Sequence, residues 1–227
     1  MNTNIESAWI VGVGGIGAAI KKFLQEKGVE VRCFSTNNIN SLDITSQACV
    51  TELVETSKLP DTIIITAGIL HDESNLPEKS ISAVEKDWLY QNINVNVLPT
   101  LYFAKALTKR IKRSDKIVFA SFSARVSSIS DNRLGGWHSY RMSKCMLNML
   151  IKNVAIEWSL KSPSSTIFGY HPGTVDTPLS KPFQKRIQKE QLFSGEKAAN
   201  FFWDCLSTRT PKDSGKVFDW RIEEITP

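Results

Sequence analysis

The chain has 227 residues, 41% of them hydrophobic and 22% charged, with a net charge of +5. That is enough chain to bury a core without disulfide or metal staples, and the mixture excludes disordered, collagenous and membrane-embedded classes. Its four cysteines, Cys33, Cys49, Cys145 and Cys205, form no Cys-x-x-Cys pair. Neither a zinc site nor a disulfide framework is expected, and reduced thiols suit the cytoplasm. The opening residues carry no basic region before the first apolar run, so no secretory signal is read there. No apolar stretch approaches the ~20 residues of a membrane span. Basic residues gather at 105–116 and 181–189. Without a groove-entering motif or interleaved aromatics they do not imply a nucleic-acid partner. A basic balance does suit an anionic small-molecule cofactor.

Taken in chain order, short β-branched or apolar runs alternate with longer helical patterns. Strands are predicted at 8–13, 29–34, 62–66, 116–120, 166–170 and 216–219. Helices are predicted at 16–27, 45–57, 85–113 (with a possible break) and 139–160. Several strand runs are almost continuously apolar, as strands buried on both faces should be. The alternation predicts a doubly wound parallel α/β sheet, Rossmann-like, with helices on both faces in a single domain over 1–227. Ligands of such sheets bind beyond the carboxyl ends of the strands. The segment 179–193 is polar, basic and poorly periodic, and is expected to form a substrate lid.

The first strand run leads into Gly12-Val13-Gly14-Gly15-Ile16-Gly17. Gly12, Gly14 and Gly17 make a Gly-x-Gly-x-x-Gly loop. Its glycines allow a tight turn, close backbone approach to a pyrophosphate and tight packing of helix on strand. The following helix N-terminus offers free N–H groups to phosphate. The second strand ends in Ser35-Thr36-Asn37-Asn38, without an acid to accept from a ribose 2′-hydroxyl or repel a 2′-phosphate. This leans towards NADP over NAD, although no arginine stands at the strand end.

Tyr140 and Lys144 are four apart at the start of a long helical pattern, so their side chains share one face. An ammonium beside a phenol favours the phenolate, and such a tyrosine can deliver a proton to a carbonyl oxygen.

The glycine loop, Asn94-Val95-Asn96-Val97, the serines after the next strand, Tyr140-x-x-x-Lys144 and Pro172-Gly173 occur in that order. Together they resemble the short-chain dehydrogenase/reductase family over essentially the whole chain. The run Ser123 to Trp137 and the stretch Pro77-Glu78-Lys79-Ser80 resemble its C-factor and sniffer-type carbonyl reductase branch. The resemblance implies NADP- or NAD-dependent hydride transfer with a small carbonyl or alcohol substrate and no metal. It casts Tyr140 as acid/base, Lys144 as its partner and nicotinamide-ribose contact, and Asn96 as support for a proton path. The substrate-oxygen donor is assigned to Ser123, with Ser121 and Ser127 as alternatives, because the family's usual serine position aligns with Ala124. Cofactor contacts are implied for Gly12, Gly14, Gly15, Ile16, Gly17, Ser35, Asp43, Ala67, Gly68, Pro172, Gly173, Val175 and Thr177, besides Asn96, Tyr140 and Lys144. The family's threonine at the head of the glycine loop is Val11 here, and its Asn-Ala-Gly turn is Thr66-Ala67-Gly68. Trp137 and His138 are expected near the substrate. A signalling role with bound cofactor is the alternative function. The helix from Ser139 carries one apolar stripe through Leu147, Ile151 and Trp158 and a second through Met142, Met146 and Met149. A helix apolar on two sides is expected to be covered on both, which implies a homodimer or homotetramer.

Overall fold

The computed structural model describes residues 5–36 and 41–227. Asn37 and Asn38 of the second strand's end lie outside them. A six-stranded sheet runs in the order β2-β1-β3-β4-β5-β8, with every neighbouring pair parallel. The strands are β1 (Ser7–Val11), β2 (Glu30–Phe34), β3 (Thr62–Ile65), β4 (Val118–Phe122), β5 (Thr166–His171) and β8 (Val217–Asp219). Two-residue strands β6 (Thr174–Val175) and β7 (Leu192–Phe193) pair apart from the main sheet. The helices are α1 (Gly15–Glu26), α2 (Gln47–Thr56), α3 (Lys86–Asn96), α4 (Leu98–Arg110), α5 (His138–Lys161) and α6 (Gly195–Thr208).

Side-chain alternation divides the core into two layers. Trp9, Val11, Ile63, Ile65, Phe119 and Ile167 face the side covered by α2, α4 and α5. Ile10, Ile64, Ala120, Phe122, Phe168 and Tyr170 face α1 and α6. Covering both faces is why Thr62–Ile65 reads as an unbroken buried run rather than an alternating one.

The predicted 85–113 helix is two helices. They break at Val97 (φ −117°, ψ −50°), and Pro99 enters the first turn of α4, where its missing N–H is tolerated. The predicted 116–120 strand begins two residues later, because the Ser162–Thr166 turn holds the chain ahead of it. The Ser165 hydroxyl accepts the Ile117 N–H and donates to the Asp115 carbonyl. Helix α6 is an addition to the predicted elements. Ser194 caps its N-terminus, and Ala198, Ala199, Phe202, Cys205 and Leu206 make its buried stripe. All four thiols are free. Among the described residues no helix is long and apolar enough to cross a membrane.

The chain leaves β1 for β2 on one side and later returns to β3 on the other. This creates a crevice at the carboxyl ends of β1 and β3, the topological switch point where such sheets bind ligands.

Candidate active site

Both lips of that crevice are built from backbone. Gly12 has φ +94°, and a Cβ there would lie 2.6 Å from the Ala67 nitrogen. Only glycine therefore lets the two turns touch. The Thr66 and Ala67 N–H groups donate to the Val11 carbonyl at 2.8 and 3.0 Å, and the Thr66 hydroxyl donates to the Gly12 carbonyl at 2.6 Å. A Cβ at Gly17 would fall 2.1 Å from the Gly12 carbonyl oxygen, so the third glycine seats α1 on the loop. Gly14 has nothing within 4 Å of its missing Cβ, whereas a Cβ at Gly15 would lie 2.5 Å from Thr177 Cγ2, so the N-terminus of α1 is open at Gly14 and packed by Thr177 at Gly15.

One cleft of about 670 Å³ runs from this loop, past Gly68 and Lys144, to Tyr140 and the lid. Of the residues expected to bind the cofactor, Gly14, Gly15, Ile16, Gly17, Ala67, Gly68, Pro172, Gly173, Val175 and Thr177 line it with Tyr140 and Lys144. Gly12 lies beneath the lining. Asn96 stands behind Gly68, its Oδ1 3.2 Å from where a Cβ there would be. Ser35, at the end of β2, is not in the lining; its hydroxyl is buried, with no hydrogen-bond partner among the described residues. Asp43 is exposed and outside the cleft, its carboxylate accepting from the Thr45 N–H and hydroxyl at 2.9 and 2.6 Å.

Tyr140 and Lys144 lie on one face of α5 and are both buried. The Lys144 Nζ is 5.8 Å from the centre of the Tyr140 ring and donates to the Phe122 carbonyl at 2.8 Å. Burial pushes the Tyr140 phenol above its ordinary range and the Lys144 ammonium down to about 7. At neutral pH the tyrosine thus keeps its proton, and the lysine stands between its charged and neutral forms. Asn96 clamps the turn after β3. Its Oδ1 accepts the Ile69 N–H at 2.8 Å, and its Nδ2 donates to the Ile69 carbonyl at 3.0 Å and the Ser143 hydroxyl at 2.9 Å.

The three candidate serines separate. Ser121 turns towards α4, 2.7 Å from the Thr100 hydroxyl. The Ser127 hydroxyl donates to the Ala124 carbonyl and accepts from Asn148 Nδ2. Ser123 lines the cleft, but its hydroxyl donates to Asn148 Oδ1 at 2.6 Å. The wall packed against Tyr140 is instead Ala124 with Leu70.

Several residues of the site escaped sequence reasoning. Glu78 is buried, its carboxylate accepting from the Ser139 N–H and hydroxyl and its carbonyl from the Trp137 N–H. It caps the end of α5 that presents Tyr140, from 61 residues away. Trp137 packs on Tyr140 (centroids 6.2 Å) and on Phe183 of the lid (5.1 Å). His71 holds the start of the lid, its Nε2 3.3 and 3.2 Å from the Pro178 and Leu179 carbonyls. His171 and Arg125 also line the cleft. Burial, aided by the charge of Arg125 and opposed by Asp219, pushes His171 down to about 4. Of these, Trp137 was expected near the substrate; no local pattern marked Glu78, His71, His171 or Arg125. The segment 179–193, expected to form a lid, comprises two 3₁₀ turns at Lys181–Arg186 and Lys189–Gln191 leading into β7.

The family model described as enoyl-(acyl carrier protein) reductase matches residues 12–200. The chain belongs to the short-chain dehydrogenase/reductase family. Short-chain dehydrogenases and reductases are nicotinamide-dependent oxidoreductases, and this chain is one by membership. It is 26% identical to 1-hydroxy-2-glutathionyl-2-methyl-3-butene dehydrogenase of Rhodococcus sp. over 175 residues, 77% of this chain and 74% of that protein. It is 23% identical to the C-signal of Myxococcus xanthus over 135 residues, 60% of this chain and 76% of that protein. Its fold superposes on the NADPH-bound carbonyl reductase from chicken fatty liver with a TM-score of 0.81. That match has 20% identity and covers 99% of this chain and 100% of the other. The short-chain family resemblance drawn from the glycine loop and the Tyr–Lys pair is thereby borne out.

Proposed function

We propose that this short-chain reductase transfers hydride between NADP and a small carbonyl compound, with NAD as the second choice, and works as a carbonyl reductase. The observation that carries the reading is the single cleft joining the open N-terminus of α1 to the Tyr140–Lys144 face of α5. The residues present fit a dinucleotide. Gly14 leaves room at the helix end, and among the described residues no Asp or Glu lines the cleft to repel phosphate. In this reading Gly14 to Gly17 hold the pyrophosphate. Ala67 and Gly68 border the adenosine ribose, which Ser35 would reach only by turning its buried hydroxyl outward. Lys144 faces the nicotinamide ribose with Asn96 supporting the turn behind it, and Pro172 to Thr177 border the carboxamide. Asp43 would reach the adenine only by leaving Thr45.

Bound there, the nicotinamide supplies or accepts the hydride. The Tyr140 phenol gives its proton to the carbonyl oxygen as that oxygen gains charge, and in the reverse direction takes it back. Lys144 in its charged form stabilises the phenolate left behind. Asn96 keeps the Ile69 turn and Ser143 fixed beside Lys144. Ser123 would hold the substrate oxygen only by giving up Asn148, so Tyr140 carries most of that task. Trp137, Phe183 and Leu70 exclude water, which strengthens every charge interaction at the reacting oxygen.

Tryptophan fluorescence titrated with NADPH and with NADH tests the reading, followed by a screen of aldehydes and ketones. Tighter NADPH binding and cofactor-dependent carbonyl reduction are expected; binding of neither cofactor would contradict it. A regulatory role like that suggested by the name C-signal is the second reading, favoured by Ala124 at the wall beside Tyr140. We further propose that the exposed Met142, Met146 and Met149 of α5 meet a second copy in a homodimer or homotetramer.

A further inference from the structure

Arg125 follows Ala124 directly and lines the same cleft as Tyr140. Its guanidinium is held from behind. Nη2 donates to Asp219 Oδ2 at 2.7 Å, and Nη1 to Asp131 Oδ2 at 3.3 Å. Asp219 is itself fixed, accepting the Arg221 and Glu223 N–H groups at 2.9 and 3.2 Å and the Arg221 side chain at 3.2 Å. The Asp219 side chain is 1% exposed and the Arg125 side chain 42%. Neither Asp219 nor the half-exposed Asp131 lines the cleft, so the lining presents Arg125 without its two carboxylate partners. An arginine has five N–H donors; with two engaged, three remain.

Of the other polar side chains in the lining, Ser123, His71 and Ser180 are occupied, and Thr174, Trp137 and His171 offer only neutral groups. Ser123 is on Asn148, His71 is on the lid carbonyls, and the Ser180 hydroxyl donates to the Val175 carbonyl at 2.5 Å. The His171 imidazole, pushed down to about 4, is neutral at working pH. Among the described residues, the cleft's charged side chains are Arg125 and Lys144, with no Asp or Glu in the lining. Lys144 stands at the reaction centre. An anionic group on the substrate away from its carbonyl therefore has one charged partner, a planar fork suited to carboxylate or phosphate oxygens.

We infer that Arg125 is an anion-binding, specificity-determining residue, and that the substrate is a carbonyl compound bearing a carboxylate or phosphate group. Asp219 is its positioning residue, since it fixes the plane of the guanidinium without facing the ligand. The inference rests on the reductase reading. It adds that the charge on the substrate, rather than its apolar body alone, sets selectivity in that same cleft.

The test uses the full chain with NADPH and matched pairs: 4-formylbenzoate against its methyl ester, and glyceraldehyde 3-phosphate against glyceraldehyde. The wild type is expected to favour the anion of at least one pair by about tenfold or more in kcat/KM, mainly through KM. Which pair shows the advantage separates carboxylate from phosphate. Arg125→Met should abolish that advantage while leaving kcat/KM for the neutral partner and the Kd for NADPH within about twofold, and Arg125→Lys should retain part of it. A merely structural Arg125 would lower both members of a pair alike. A wild type that favours neither anion, or that prefers the neutral partners, overturns the inference whether or not the variants fold. So does an Arg125→Met variant that weakens NADPH binding while keeping the anion preference. In all these cases NADPH binding and reduction of the neutral aldehydes would stand as separate support for the reductase reading, and loss of both would count against that reading itself.

Discussion

At the residue scale, burial sets the protons at this site. The folded pKa of Lys144 is about 7, against 10.5 for the free side chain. Below about 7 the ammonium is charged and can stabilise a Tyr140 phenolate; above it the charge is lost. Carbonyl reduction should therefore fall as pH rises through about 7, and a pH profile of kcat at saturating NADPH checks this. The same shift is a stability statement. The folded chain binds fewer protons than the unfolded one between about 7 and 10.5, so the burial penalty is full below that window and is relieved as pH rises across it. Lys144→Met should remove activity, raise the Tm of the cofactor-free protein at pH 7 by several degrees, and flatten its rise with pH. A thermal melt series at pH 6 to 10 measures both effects. Ser123 and Ala124 carry the third prediction. Ser123→Ala should leave kcat within about threefold, whereas Ala124→Ser, which sets a hydroxyl against Tyr140, should raise it by up to about tenfold. A large loss in Ser123→Ala would instead make Ser123 the oxygen donor.

At the scale of elements, the site depends on how α5 begins. Trp137 precedes it in the left-handed region (φ 53°) and offers no side-chain cap. Glu78 supplies the missing acceptor from a distant loop. Glu78→Ala leaves the Ser139 N–H and hydroxyl buried without partners, which costs about 1–3 kcal/mol. It should lower Tm and also lower kcat, because the first turn carries Tyr140; urea unfolding and turnover of the same sample test this. Elements were legible where a local signal existed. The glycine loop, the Ile63–Ile65 run and the four-residue Tyr140–Lys144 spacing each carry their own pattern. Pro99 marked the break between α3 and α4, whose place a single long periodicity obscured. The stripe of α6 is as regular as that of α1, yet it follows the irregular lid and was masked by it. Glu78, His71 and Arg125 were not legible, because what makes them part of the site is contact across the fold: Glu78 to Ser139, His71 to Leu179 and Arg125 to Asp219.

At the scale of the whole molecule, alternation of strand and helix put ligands beyond the carboxyl ends of the strands. The strand order adds where along that edge, at the switch point between β1 and β3. It did not reveal which serine faces the cleft. Alternation along β4 and the turn after it decides that, and the loop to Tyr140 hides the count. The methionine stripe of α5 belongs to this scale too. Met142, Met146 and Met149 are 43, 45 and 61% exposed in the single chain. Sedimentation velocity should show a dimer or tetramer that Met146→Glu and Met149→Glu together dissociate. A wild-type monomer at micromolar concentration would contradict the assembly without touching the catalytic reading.

The most direct test of the central claim is Tyr140→Phe. The variant removes one buried oxygen from the end of the cleft and leaves the glycine loop, Lys144 and the lid in place. NADPH binding, read by tryptophan fluorescence, should stay within about threefold of wild type. NADPH-dependent reduction of an aldehyde that the wild type turns over should fall by about a hundredfold or more. If Tyr140→Phe binds NADPH and reduces the aldehyde at the wild-type rate, Tyr140 is not the acid/base, and the site described here is not where the chemistry occurs.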